Sequence, residues 1–126
     1  MGFEDRGEPV RLEFSSADVT IAAEITLWDG NSIARPLAEE ERLIILSLSI
    51  HAAAAVTTLA LFDDLDEDGN VDAGEKLFYK SVAAALAFSI SYEGEGQSAG
   101  KGRMPKVKAG VAGTVDITGN GYIIKG

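Results

Sequence analysis

The chain has 126 residues, 46% hydrophobic and 25% charged, with a net charge of −9 and no cysteine. The length suits one domain with a real core, and the missing cysteine excludes disulfides and Cys-ligated metal. The acidic total argues against nucleic acid as a main partner. The opening MGFEDRGEPV carries no apolar h-region, so nothing points to a Sec signal peptide and assembly inside a cell is the expectation.

A single domain over residues 1–126 is expected, with residues 1–9 as an extended N-terminal arm. Val10, Leu12 and Phe14 alternate with polar residues and predict a first strand. Val19, Ile21, Ala23, Ile25 and Leu27 predict a second, closed by the turn signal Asp29-Gly30-Asn31. A short helical turn is expected at Pro36–Arg42, with proline at its start. Within it Glu39, Glu40 and Glu41 read as a solvated turn rather than paired catalytic carboxylates.

Leu43 to Phe62 is 20 residues without a formal charge, long enough to span a bilayer. It contains Ser47, Ser49, His51, Thr57 and Thr58, and its flanks are mostly acidic with no positive-inside asymmetry, so a membrane segment is not the expected reading. Ile44, Leu46, Leu48 and Ile50 alternate with Ile45, Ser47 and Ser49, which predicts a strand. His51–Ala55 would bend, and Val56, Thr58, Ala60 and Phe62 would form the next strand. A helix through HAAAAV is the rival, because alanine is the best helix former.

The stretch FDDLDEDGNVDAGE, residues 62–75, follows. Calcium takes hard oxygen ligands, and a twelve-residue loop supplies them from positions 1, 3, 5, 7, 9 and 12 with glycine at 6. Those positions are Asp64, Asp66, Asp68, Asn70, Asp72 and Glu75, with Gly69 at 6 and Val71 at 8. Residues 63–75 hold seven acids and no base, a repulsion that Ca²⁺ would offset; the alternative is an acidic surface turn that binds nothing. An EF-hand would need amphipathic helices on both sides. The entering stretch, residues 49–63, lacks a charged face until Asp63, whereas KLFYKSVAAALAF retains helical potential. A loop joining two strands, stiffened by structural calcium, is the preferred expectation.

Leu86, Phe88, Ile90 and Tyr92 line one face of a further strand. GEGQSAGKGR, residues 94–103, fails as a phosphate loop because Glu95 and Gly102 stand where glycine and Ser/Thr are required. It fails as a dinucleotide fingerprint because Gly100, Gly102 and Pro105 forbid the following helix, which leaves a mobile loop as the expectation. Val115 and Ile117 precede a predicted Gly119-Asn120-Gly121 turn, and Tyr122–Ile124 follow. Short strands punctuated by Gly, Asn and Asp predict an all-β fold, an antiparallel β-sandwich or jelly roll with the calcium-type loop between two strands.

Residues 101–126 hold five bases and one acid, Asp116, and read as a solvated face or a contact patch for an acidic partner. His51, the one histidine, reads as a turn residue, and Trp28 as packing the sandwich edge, with sugar stacking the unsupported alternative. No enzyme active site assembles from these residues.

Two stretches together resemble small virion proteins of tailed bacteriophages. RPLAEEERLIILSLSI, followed by the alanine-rich bend and VTTLALFDD, is similar to their turn–strand–bend–strand segment, and AGVAGTVDITGNGYIIKG is similar to their final hairpin. The resemblance spans roughly residues 35–126 and departs from the group at the inserted acidic loop. It implies a structural capsid decoration or cement protein, without enzymatic activity, that binds the major capsid protein on the virion surface. It also implies a homotrimer made in the host cytoplasm, with no nucleic-acid or membrane partner. A calcium-stabilised carbohydrate-binding or adhesive β-sandwich module is the alternative, and a single-EF-hand regulator a third.

Overall fold

The computed structural model describes residues 7–64, 67–71, 74–92, 96–98 and 100–125. Among the described residues ten strands are arranged in two antiparallel sheets, and no helix occurs. The larger sheet has the order β3 (Thr26–Trp28), β1 (Glu8–Ser16), β10 (Val115–Lys125), β4 (Glu41–Ala52), β7 (Leu86–Ser91). Short β8 (Gln97–Ser98) pairs with the first half of β4. The smaller sheet has the order β2 (Ala23–Glu24), β9 (Lys106–Ala109), β5 (Thr57–Phe62), β6 (Lys76–Val82). This is a β-sandwich, as the alternating runs predict.

The core lies between the sheets. Leu12, Leu27, Leu43, Ile45, Ile50 and Ile117 from the larger sheet meet Leu59, Leu61 and Val107 from the smaller one. In β1 the period of two holds throughout, with Val10, Leu12 and Phe14 inside. In β4 it breaks. Asn120 of β10 pairs with Ser47 while Gly121 pairs with Ile45, so Leu46 is an extra residue in the ladder. This β-bulge resets the inward face from Leu43 and Ile45 to Leu48, Ile50 and Ala52. Ile44 and Leu46 therefore do not share a face with Leu48 and Ile50, contrary to the unbroken alternation expected there.

The Val19–Leu27 run is not one strand. Ala23 belongs to β2 of the smaller sheet and Leu27 to β3 of the larger, and buried Ile25 carries the chain across between them, donating its N–H to Pro105 O at 3.2 Å. The expected helical turn at Pro36–Arg42 is a plain turn at 39–40 that leads into β4, with Glu41 N–H bonded to Ala38 O at 3.0 Å. The alanine run forms the end of β4 and a bend, and KLFYKSVAAALAF forms most of β6 and β7, so neither supplies an EF-hand helix. No helix of the described chain is long and apolar enough to cross a membrane.

The predicted hairpin at Gly119-Asn120-Gly121 is also absent. β10 runs unbroken through these residues, pairing with β1 on one side and β4 on the other. The glycines answer to space rather than to a turn: a Cβ on Gly121 would lie 2.1 Å from Ile44 O, and one on Gly119 2.4 Å from Ser47 O. Residues 8–9 of the expected arm already belong to β1, where Glu8 pairs with Ile123, and residues 1–6 lie outside the described residues.

Candidate functional site

The acidic loop, residues 63–75, connects β5 to its antiparallel neighbour β6. It begins where β5 is buried on both faces. Leu59 and Leu61 point into the core, whereas Ala60 and Phe62 lie on the opposite face beside Lys108 and Lys106 of β9, and all four β5 side chains are buried. Both lysines reach from that outer face to the loop. Lys106 Nζ donates to Asp64 Oδ2 at 2.9 Å, and Lys108 Nζ donates to Gly69 O and to Asn70 Oδ1, each at 3.1 Å. The loop is thereby held back over the smaller sheet.

Asp64 is 4% exposed, and its Oδ2 also accepts the Gly69 N–H at 2.9 Å. Gly69 has φ of +75°, the left-handed conformation that suits glycine at position 6 of such a loop. Asp68 is exposed and its Oδ1 accepts the Asn70 N–H at 2.8 Å, an Asx-type turn. Glu75 is buried, and its carbonyl accepts the Asp63 N–H at 2.8 Å, closing the loop at its base. Asp66 and Asp72, the other two expected calcium ligands, lie outside the described residues. Among the described residues no three His, Cys, Asp or Glu side chains stand together as a metal group. Asp64, Asp68, Asn70 and Glu75 retain the hard-oxygen chemistry that calcium prefers. A cation there must displace or share Asp64 with Lys106. Contact with that carboxylate raises the Lys106 pKa above its ordinary value, with the hydrogen bond as the main cause.

Asp63 serves a second fastening. It accepts Arg103 Nε on Oδ1 at 2.7 Å, and both Arg103 Nη2 (3.1 Å) and Gly100 N–H (3.0 Å) on Oδ2. Gly102 N–H bonds to Glu41 O at 2.7 Å. The described part of the segment expected to be a free loop is thus tied to β5 and β4. Of the five bases in residues 101–126, Arg103, Lys106 and Lys108 meet the acidic loop of the same chain, while Lys101 and Lys125 are exposed.

A third cluster was hidden among the three consecutive glutamates. Glu39 and Glu40 are exposed, but Glu41 is buried against Arg35. Arg35 Nη2 lies 2.7 Å from Glu41 Oε2 and 3.0 Å from Glu8 Oε1, and Nη1 also reaches Pro36 O. The guanidinium, with help from the Ala38 N–H, holds the Glu41 carboxyl down to about 2 from an ordinary 4.5. A lowered carboxyl pKa stabilises the fold above the ordinary value, and that stability is lost as pH falls through the folded value. Urea midpoints should therefore drop between pH 4.5 and about 2. Arg35→Leu should lower the midpoint at pH 7 by the equivalent of about 2–4 kcal/mol and flatten its acid slope. An Arg35→Leu protein with the wild-type midpoint at neutral pH removes the clamp from the stability of this fold.

His51 lies in β4 on the outer face of the larger sheet, exposed, with Nδ1 3.9 Å from Asp116 Oδ2. Trp28 is half-buried at the edge of that sheet and donates its Nε1–H to Glu13 Oε1 at 2.9 Å. Comparison with protein-family models, curated proteins and solved structures gave no match.

Proposed function

We propose that this chain is a structural virion protein, a decoration or cement module that sits on a capsid shell, binds the major capsid protein and assembles as a homotrimer. The observation that carries the reading is how its charged groups are spent. Arg35 binds Glu8 and Glu41, Arg103 binds Asp63, and Lys106 binds Asp64, so each fastens a connection back onto the sandwich. A module that stiffens a shell from outside needs rigid loops and broad sheet surfaces. Of the two stretches that carry the resemblance, the first folds as turn, strand, bend and strand over 39–63, ending in Phe62-Asp63, which adds support, whereas the second is the unbroken strand β10 in place of the expected final hairpin. In this reading the protein is made in the host cytoplasm, acts without catalysis, and uses calcium, where bound, to brace the 64–75 loop.

The test is binding to a shell. The gene should adjoin capsid or portal genes, and the purified protein should co-sediment with shells of the neighbouring coat protein at a fixed ratio. Protein that stays in the supernatant at every ratio removes the proposal.

One observation favours a second reading, a glycan-binding module. Cross-strand rows Arg11, Asn120, Ser47, Ser91 and Glu13, Thr118, Ser49, Ser89 line the outer face of the larger sheet. A shallow groove of about 590 Å³ lies over them. Retarded migration in gels containing neutral polysaccharide, abolished by Ser49→Arg, distinguishes this reading from shell binding.

A further inference from the structure

The two flanks of the sandwich are finished differently. On one, buried Ile25 carries the chain from β2 to β3 and closes the gap between the sheets, and Leu27 of β3 is buried beside it. On the other, β6 and β7 are the last strands of their sheets, and residues 83–85 join them at one end. At the other end Tyr92 O–H donates to Leu77 O of β6 at 3.1 Å. Between these two ties a slot as long as β7 is open along its side.

The inward face of β7 bears the mark of that opening. Leu48, Ile50 and Ala52 of β4 are at most 2% exposed, yet their partners across the ladder, Ile90, Phe88 and Leu86, are each only half-buried. Phe78 of β6 meets Phe88 edge to face at 6.1 Å and is half-buried too. One more strand on the free side of β7 would cover these side chains as β7 covers those of β4. No strand lies on that side among the described residues, so alternate N–H and C=O groups of Leu86–Ser91 face outward. Edge strands are commonly guarded by charge, and β7 carries none.

Lys80 sets what can enter. It is exposed, lies over the Phe88 ring at 5.1 Å, and makes no ion pair among the described residues. A second copy fits badly. Two β7 strands paired antiparallel with inward faces matched would oppose Phe88 to Phe88 and bring two Lys80 ammonium groups together over the rings. A carboxylate in the same place would instead complete the contact. We infer that the free edge of β7 accepts an extended segment of a partner protein, apolar at the alternate positions that face the slot and carrying one carboxylate beside Lys80. Backbone bonds to β7 supply affinity, the apolar side chains cover Leu86, Phe88 and Ile90, and the carboxylate selects the partner. One acid rather than a run of them suits a chain whose net charge is −9. Purified protein and a free peptide test this contact, so its outcome is separate from that of shell binding.

The probe is a synthetic peptide with valine at alternate positions, threonine between them, and glutamate in place of the central valine. A second peptide carries lysine instead of the glutamate, and a third is the first with every backbone amide methylated. Wild type should bind the glutamate peptide about tenfold more tightly than the lysine peptide. The largest amide shifts in nuclear magnetic resonance should fall on Leu86–Ser91 and Lys80, and the methylated peptide should not bind. Lys80→Glu, at an exposed position, should reverse the preference while circular dichroism and melting stay unchanged. Equal affinity of wild type for the two charged peptides overturns the inference, as does a Lys80→Glu protein that keeps the wild-type preference. Shifts centred on another strand, or no binding at millimolar peptide, overturn it too. So does wild type that sediments as an oligomer with its β7 amides already protected, since a second copy then fills the slot.

Discussion

Gly121→Val should unfold this protein or leave it barely folded at room temperature. β10 is the central strand of the larger sheet, hydrogen-bonded to β1 over nine residue pairs and to β4 over eleven. At Gly121 the ladder to β4 shifts register, and the Ile44 carbonyl closes in so far that a Cβ would sit 2.1 Å from its oxygen. The obstacle is backbone, which cannot rotate aside as a side chain can. Valine would force β10 and β4 apart where Ile45 and Ile123 form the core. Overpacking of a rigid core typically costs 1–3 kcal/mol, and the lost ladder bonds add roughly 1 kcal/mol each, for a total of about 4 kcal/mol or more. That is a large share of the 5–15 kcal/mol available to a domain. Gly119→Val should behave similarly, at 2.4 Å from Ser47 O. Gly30→Val, in a turn with open space around it, is the control and should shift the urea midpoint little. If Gly121→Val melted with wild type, β10 would have to be broken at 119–121, as a hairpin there requires.

That glycine pair shows why part of the fold was legible in the sequence and part was not. Period-two runs such as Val10, Leu12, Phe14 reveal a strand with one buried face, because the pleat alone sets the spacing. They do not reveal which sheet receives the strand, so the Val19–Leu27 run looked continuous although the chain changes sheets at Ile25. They also cannot show a bulge, since one extra residue such as Leu46 alters pairing without altering composition. Gly-Asn-Gly is a turn signal when the chain must reverse and a close-approach signal when a neighbouring backbone crowds it, and only the neighbour decides.

The candidate site divides in the same way. Its oxygen ligands are spaced locally and could be read from the Asp64-to-Glu75 pattern. The cations that meet the described part of the loop come from more than thirty residues away, at Arg103, Lys106 and Lys108, brought there by the pairing of β5 with β9. Glu41 differs from Glu39 and Glu40 through its contacts with Arg35 and the Ala38 N–H, which three identical letters cannot display.

Lys106→Met should make the stability of this protein depend far more on calcium than that of the wild type does. In the wild type Asp64 is buried and its Oδ2 is held by the Lys106 ammonium at 2.9 Å. Removing the lysine takes its ammonium away from a buried carboxylate whose Oδ2 keeps the Gly69 N–H, at a cost of about 3 kcal/mol, more than an exposed pair would. Methionine keeps the length of the side chain over Phe62, so the loss is mainly one of charge. In chelator the variant should melt well below wild type, by roughly 10 °C for a chain of this size. Calcium changes the balance. In wild type Ca²⁺ has to compete with the ammonium for Asp64, so its stabilisation is modest. In the variant the carboxylate is released to the metal, and binding to the native state contributes RT ln(1 + [L]/Kd), about 2.7 kcal/mol at a hundredfold excess over Kd. Most of the lost melting temperature should therefore return in millimolar calcium, and magnesium, which demands a smaller octahedral site, should return less. Calorimetry should show tighter calcium binding to the variant than to wild type, and Asp64→Ala/Asp68→Ala should bind none. Were both proteins to melt identically in calcium and in chelator, with no heat of binding, Arg103, Lys106 and Lys108 would hold the described part of this loop without help from calcium.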